Sequence, residues 1–327
     1  MNRRAIALAL PAVLMLPFGS TCAQAPAYPS KPVRIVVALG PGGSVDLMTR
    51  VFARRMAEAF GQQFLVENRA GGGSVPGYTY VARAKPDGYT LLAAGLTFTS
   101  SFALREGAAV DPIKDYAPVA LLNRAPWLLV VNPSVPAKSV RELIALARAR
   151  PGALTFAGGA SGAGTHLLSI WFFKAAKIDA VYVPYSTGGT AQSTIDVVAG
   201  RGDAAIVTYA TAKPFLGNGK LRALGISSSQ WSKVLPDLQP IAHQGVPAYE
   251  AYTFNGWLAP AGTLASVVNR LSEELAKIAK SAEIQERIVD DAGEPVGSTP
   301  AQFEAFIAAE VTHWRALAKE AGIRLEQ

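Results

Sequence analysis

Four glycine-rich stretches lie where a strand pattern gives way to a helix pattern: residues 40–44, 158–165, 186–189 and, less distinctly, 95–101. Glycine lets backbone N–H groups come close to a ligand. The first turn of a following helix adds unpaired N–H groups and partial positive charge, so such a junction favours a carboxylate or phosphate. In α/β sheets ligands bind beyond the carboxyl ends of strands, where these loops fall. Three such units facing one another would hold a small anion through backbone and hydroxyl groups. The same turns also serve as plain tight connections, and one loop alone does not separate the two readings.

Enzyme signatures are weaker. Gly217-Asn218-Gly219-Lys220 lacks the first glycine and the closing hydroxyl of a phosphate-binding loop. Gly40-Pro41-Gly42 opens like a dinucleotide fingerprint, but Val45 stands where the third glycine belongs. No G-x-S-x-G nucleophile elbow occurs. His166 follows Thr165 at a helix start and has the chemistry of a base, yet nothing pairs it with a nucleophile and an acid. It reads as a capping or ligand-lining histidine. Asp46 and Asp203 have the chemistry of ligands or bases. Asp46 reads as complementing a helix dipole, and Asp203 as organising a turn. His243 and His313 read as ordinary surface or half-buried residues. With three His and one Cys, no multi-cysteine or His-built metal site is expected, and no cofactor.

The elements that must position these loops alternate. Residues 33–39 form a near-continuous apolar run, as in a parallel strand covered on both faces. Met48, Val51, Phe52, Met56 and Phe60 then recur at helical spacing up to Gly61. Strands are expected at 64–67 and 89–94, with turns at Gly71-Gly72-Gly73 and Pro86-Asp87-Gly88 between them. A second series starts with a strand at 127–131 and a helix opened by the capping box Ser139-Val140-Arg141-Glu142. It continues with strands at 154–157, 181–184, 204–209 and 221–227, and helices at 165–176 and 190–199. A strand at 255–260 restarts the first series, followed by an amphipathic helix at 263–279. Thr299-Pro300-Ala301-Gln302 caps a last helix whose apolar stripe is Phe303, Phe306, Ile307, Trp314 and Leu317. This alternation predicts an α/β fold of two domains, each a mixed sheet flanked by helices. The first domain takes residues 28–126 and 250–327 and the second 127–249. The crossings near 125–127 and 249–254 would form a hinge.

The length fits about two domains. Half of the residues are hydrophobic and 17% are charged, which excludes a disordered chain and provides for a substantial core. The N-terminus carries Asn2-Arg3-Arg4, an apolar run over 5–16 and small residues before an Ala-rich zone, the order of a secretory signal peptide. Cleavage is expected after Ala23, giving a signal peptide of 1–23, with Ala27 as the alternative. A lipid anchor on Cys22 is the weaker reading, because Gly19-Ser20-Thr21 is a poor lead-in. Loss of Arg3 and Arg4 takes the net charge from +7 to +5, and loss of Cys22 leaves a chain without thiols, as suits an oxidising compartment. No later stretch approaches the apolar length of a membrane span, so a soluble periplasmic protein is expected. Without a Lys/Arg run or a basic helix, nucleic acid is not an expected partner.

The residues carry a resemblance. Residues 28–36 (YPSKPVRIV) lead into Gly40-Pro41-Gly42-Gly43-Ser44-Val45-Asp46, then Val66-Glu67-Asn68-Arg69-Ala70-Gly71-Gly72-Gly73 and Lys85-Pro86-Asp87-Gly88-Tyr89. Ser161-Gly162-Ala163-Gly164-Thr165-His166, Val183-Pro184-Tyr185, Gly200-Arg201-Gly202-Asp203 and Leu258-Ala259-Pro260-Ala261-Gly262-Thr263 follow in order. This resembles the Bug family, the TctC-like extracytoplasmic solute receptors of tripartite tricarboxylate transporters, over essentially the whole chain after the signal peptide. The resemblance implies a periplasmic binding protein of the Venus flytrap type, a monomer that captures a small carboxylate in an interdomain cleft and delivers it to a membrane permease. It implies ligand contacts at Gly40, Pro41, Gly42 and Gly43 in the first loop and at Thr165 and His166 in the second domain. Tyr185, Thr187 and Gly188 match the next loop, and Asp203 the acidic turn.

Two positions depart from the family pattern. Ala38-Leu39 stand where Pro-Phe is usual, and Ser186 stands where Lys is frequent, which removes a counter-charge and suits a less charged or bulkier ligand. The expected protein is a receptor and not an enzyme. The alternatives are an exported α/β enzyme using His166 and Asp203 on a carboxylic acid, and a receptor that serves a sensor kinase.

Overall fold

The computed structural model describes residues 28–104, 109–185 and 190–322. The expected signal peptide lies outside them. In chain order the elements are β1 (Val33–Val37), α1 (Ser44–Phe60), β2 (Phe64–Asn68), α2 (Val75–Ala82), β3 (Thr90–Ala94), α3 (Leu96–Leu104) and β4 (Tyr116–Val131). Then come α4 (Val140–Ala149), β5 (Thr155–Gly159), α5 (Gly164–Ala176), β6 (Val181–Tyr185), α6 (Thr190–Val198), β7 (Ala204–Thr208), α7 (Tyr209–Leu216) and β8 (Arg222–Ile226). The chain closes with β9 (Tyr252–Pro260), α8 (Ala265–Lys280), α9 (Ala282–Asp290), β10 (Glu294–Pro295) and α10 (Pro300–Ala321).

The fold is mixed α/β, as the alternation predicts. Strand order is β2-β1-β3-β9-β4-β7-β5-β6, with β8 and β10 also paired to β4. The groups β2-β1-β3 and β6-β5-β7 are parallel. The returning strand β9 lies antiparallel between β3 and β4. Strand β4 is 16 residues long. Its first part pairs with β9, and residues 127–131 pair with β7 and β8. Only this second part was expected as strand. Pro118 and Pro126 obscure the first, which bulges next to Pro118, where proline's missing N–H is tolerated.

Local chemistry sets the element ends. Val45, Met48, Phe52 and Met56 bury one stripe of α1, and Gly61 ends it at φ 65°, donating its N–H to Ala57 O. Ser139 Oγ accepts from the Glu142 N–H, while Glu142 reaches Lys138 N–H and not that of Ser139. At α10 both halves of the capping box form between Thr299 and Gln302. The expected stripe of α10 divides between two cores. Phe303, Ile307 and Val311 pack with β1, β3 and β9 residues such as Val36, Leu92 and Phe254. Trp314, Leu317 and Ala318 pack with Phe172 and Tyr249.

Candidate functional site

A cavity of about 40 Å³ gathers at the carboxyl ends of the parallel strands. The chain after β1 contributes Leu39, Gly40, Gly43, Ser44, Val45 and Asp46, and the start of α3 contributes Leu96 and Thr97. Gly159, Ala163 and Thr165 come from the β5–α5 junction, Thr190 from the start of α6 and Thr208 from the end of β7. Trp127 of β4 and Thr253 of β9 complete the wall. Five helices, α1, α3, α5, α6 and α7, therefore present their N-terminal ends to one space. Each such end carries roughly half a positive charge and contributes about 0.3–2 kcal/mol toward a nearby anion.

Among the described lining residues the only charged side chain is Asp46, and it faces its own partners. Its Oδ2 accepts the Gly42 N–H at 2.9 Å, and Oδ1 accepts from Arg50 Nε at 3.1 Å and Asn68 Nδ2 at 3.0 Å. Asn68 Nδ2 also donates to Leu39 O at 3.1 Å, tying β2 to the loop. Burial pushes the Asp46 pKa up, but these hydrogen bonds and the Arg50 charge outweigh it and hold the carboxyl below its ordinary value. Asp46 is thus the peg around which residues 39–43 are wrapped. Gly42, at φ 82°, takes a conformation that other residues rarely adopt.

On the opposite wall Thr165 Oγ1 accepts the Gly159 N–H at 2.9 Å and lies 3.4 Å from Tyr182 Oη. His166 Nδ1 accepts the Gly162 N–H at 3.2 Å, and its ring lies against Tyr182 with centroids 4.7 Å apart. Burial lowers the His166 pKa, so the neutral ring persists to lower pH than for a free histidine. The ring thus braces the loop before α5 without reaching the N–H of the N-cap residue Ala163, which goes to Ala160 O. Thr190, Thr194, Thr208 and Thr211 form a buried hydroxyl cluster with oxygen separations of 3.1–3.4 Å. The Trp127 indole N–H has no partner among the described residues.

Of the expected contacts, Gly40, Gly43 and Thr165 line the cavity. Pro41 and Gly42 belong to the same loop without lining it, and His166 braces the loop before α5. Tyr185 is bonded through its hydroxyl to Asp196, which raises its pKa together with burial. Thr187 and Gly188 lie outside the described residues. Asp203 stands elsewhere: its Oδ2 accepts from Thr155 N–H and Oγ1, both at 2.8 Å. Thr155 begins β5 and Gly159 ends it, so Asp203 sits about 13 Å from the cavity end of that strand. It organises a turn, as its sequence context suggested. Trp127, Thr208 and Thr253 were not foreseen. Trp127 reaches the cavity from within β4, Thr208 from the end of β7 and Thr253 from the start of β9, none beside a glycine, and only the lone hydroxyl or indole marks them.

Residues 48–323 match the family model described as "Tripartite tricarboxylate transporter family receptor". The protein BugT of Bordetella pertussis is 33% identical over 309 residues, covering 93% of each chain. Among solved structures, R. palustris Rpa4515 with adipate is 32% identical with a TM-score of 0.87, over 91% of this chain and 99% of that one. MatC from Rhodopseudomonas palustris with bound malate is 28% identical with a TM-score of 0.83, over 89% of this chain and 99% of that one. The matched family is one of transporter receptors and not of enzymes, and the periplasmic binding protein BugD is 27% identical with a TM-score of 0.86 over 91% of this chain and 100% of that one. A mixed α/β fold, a cavity ringed by helix N-termini and a family match over most of the chain agree: this chain belongs to the tripartite tricarboxylate transporter receptor family.

Proposed function

We propose that the chain is a periplasmic receptor that takes a small carboxylate-containing solute into this cavity and delivers it to a permease of the tripartite tricarboxylate type. The observation that carries this reading is the convergence of five helix N-termini on a hydroxyl-lined space without a lysine or arginine among its described lining residues. Unpaired backbone N–H groups and helix dipoles favour a negative group. The names of the neighbours, one with adipate and one with malate, support an acid as ligand.

In this reading the first domain, residues 28–126 and 250–327, holds one wall, and the second, 127–249, holds the other. Gly40, Gly43 and the amides that open α1 face Thr165, Thr190 and Thr208 across the solute. Thr187 and Gly188 are proposed to complete the second wall, and Pro41, Gly42, His166 and Tyr185 to shape it from behind. The solute binds the closed form better than the open form, and that difference alone drives closure. No covalent step is needed.

A thermal-shift screen of residues 28–327 against carboxylic acids, their amides, amino acids and sugars tests the reading. A ligand at a hundredfold excess over its Kd stabilises the folded state by about 2.7 kcal/mol. At least one acid is expected to raise the melting temperature by several degrees. Shifts confined to sugars or amides would contradict the proposal.

A further inference from the structure

The two walls meet along a seam beside the cavity, and one residue in that seam has no room for a side chain. Gly164 opens α5, and its N–H donates to Thr97 Oγ1 of α3 at 3.4 Å. One turn further along α3, Ser101 Oγ donates to Gly162 O at 3.5 Å. A Cβ added to Gly164 would stand 2.8 Å from both Cγ and Cδ2 of Leu96, and 3.3 Å from its Cβ. Real carbon contacts are not that short. Leu96 has little freedom to retreat, since it is only 2% exposed and packed with Trp127 and Leu167. The backbone at Gly164 has no positive φ and would accept alanine without strain.

This separates Gly164 from Gly42 and Gly43 of the first loop. Gly42 needs glycine for its φ of 82°, while a Cβ there would meet Ala191 at an ordinary 3.7 Å. Gly43 would meet nothing within 4 Å. At Gly164 the requirement comes from across the seam, from a residue 68 positions earlier in the chain.

We propose that Gly164 is the residue that sets how far the cavity can close: the missing side chain lets the first turn of α5 seat against Leu96 of α3. The inference rests on the receptor reading above and adds to it the contact through which closure is completed. Gly164 is a positioning residue that need not touch the solute. A methyl group there acts as a wedge that leaves each wall intact but holds them apart. Overpacking of this kind costs enough to weaken binding about tenfold to a hundredfold.

The test is a double-mutant cycle on residues 28–327. The probe is whichever acid shifts the wild-type melting temperature most, from a panel that includes adipate and malate. Affinity is read by titration calorimetry, and compaction by small-angle scattering with and without the acid. Gly164→Ala is expected to lower affinity at least about tenfold and to abolish the ligand-induced compaction, with an unchanged far-UV circular dichroism spectrum. In a Leu96→Ala background, where Cγ and Cδ2 are gone and only Cβ remains at 3.3 Å, adding Gly164→Ala is expected to change affinity less than about threefold and to leave compaction in place. Unchanged affinity for Gly164→Ala, or an equal loss in both backgrounds, would overturn the seam contact while leaving the receptor reading standing. A wild type that binds and compacts with none of the acids would overturn both.

Discussion

At the scale of single residues, one aspartate shapes the proposed anion site without supplying a positive charge. Asp46 gathers the Gly42 amide, Arg50 and Asn68. Asp46→Ala leaves these donors without their acceptor, which costs about 1–3 kcal/mol and loosens the loop. Chemical denaturation is expected to show that loss, and calorimetry a weaker acid affinity. Because the folded-state pKa of Asp46 lies below the ordinary value of about 3.9, its stabilisation is full above that value and is lost as pH falls through the folded pKa. A pH series of melting temperatures should therefore converge for wild type and Asp46→Asn only at acid pH. His166 has the opposite chemistry with a similar pH sense. Its pKa is lowered by burial, so protonation opposes the fold, and its destabilisation grows as pH falls below about 6.5. Histidine NMR titration should find the His166 ring protonating below that value, as burial also predicts for His313. A His166 pKa above it would contradict the buried ring that accepts the Gly162 N–H.

At the scale of elements, the helix ends carry the function and the strands aim them. Much of this is legible in the sequence. The apolar run of β1, the stripe of α1, both N-terminal serine and threonine caps and the glycine-rich junctions follow from periodicity and turn chemistry. What is hidden has physical reasons. Helix α3, with the sequence LTFTSSFAL, is buried at almost every position and so has no polar face to mark a period. Helix α7 carries Pro214 and reads as a break, and Val75-Pro76 opens α2 directly after a glycine turn. The loops at Gly40 and Gly159 could be read as cavity walls, but the hydroxyls of Thr208 and Thr253 could not, since nothing local distinguishes a threonine that ends a strand at a ligand. Asp203 misleads in the other direction, because an acidic turn at the opposite strand end has the same local sequence either way. Element ends also offer a control. Thr299→Ala removes an N-cap outside the cavity lining and is expected to cost about 1 kcal/mol of stability with no change in acid affinity.

At the scale of the whole molecule, four hydrophobic clusters among the described residues share their elements. Strand β4 contributes to all four, the chain returns at Tyr252, and α10 packs its first half in one cluster and its last turns in another. Trp314 is 1% exposed, stands edge-on to Trp171 and donates its indole N–H to Glu310 at 2.9 Å. Trp314→Ala is expected to destabilise the protein by about 3–5 kcal/mol in chemical denaturation. A cost below about 1 kcal/mol would mean that this end of α10 is only lightly held.

The central claim is that a ring of helix N-termini, with no lysine or arginine among the described lining residues, holds a negatively charged group. The most direct measurement is calorimetric titration of residues 28–327 with the best-binding acid and with its neutral amide, which has nearly the same shape. The account predicts that the acid binds at least about a hundredfold more tightly, a difference of about 2.7 kcal/mol. Equal affinities, or a preference for the amide, would contradict it.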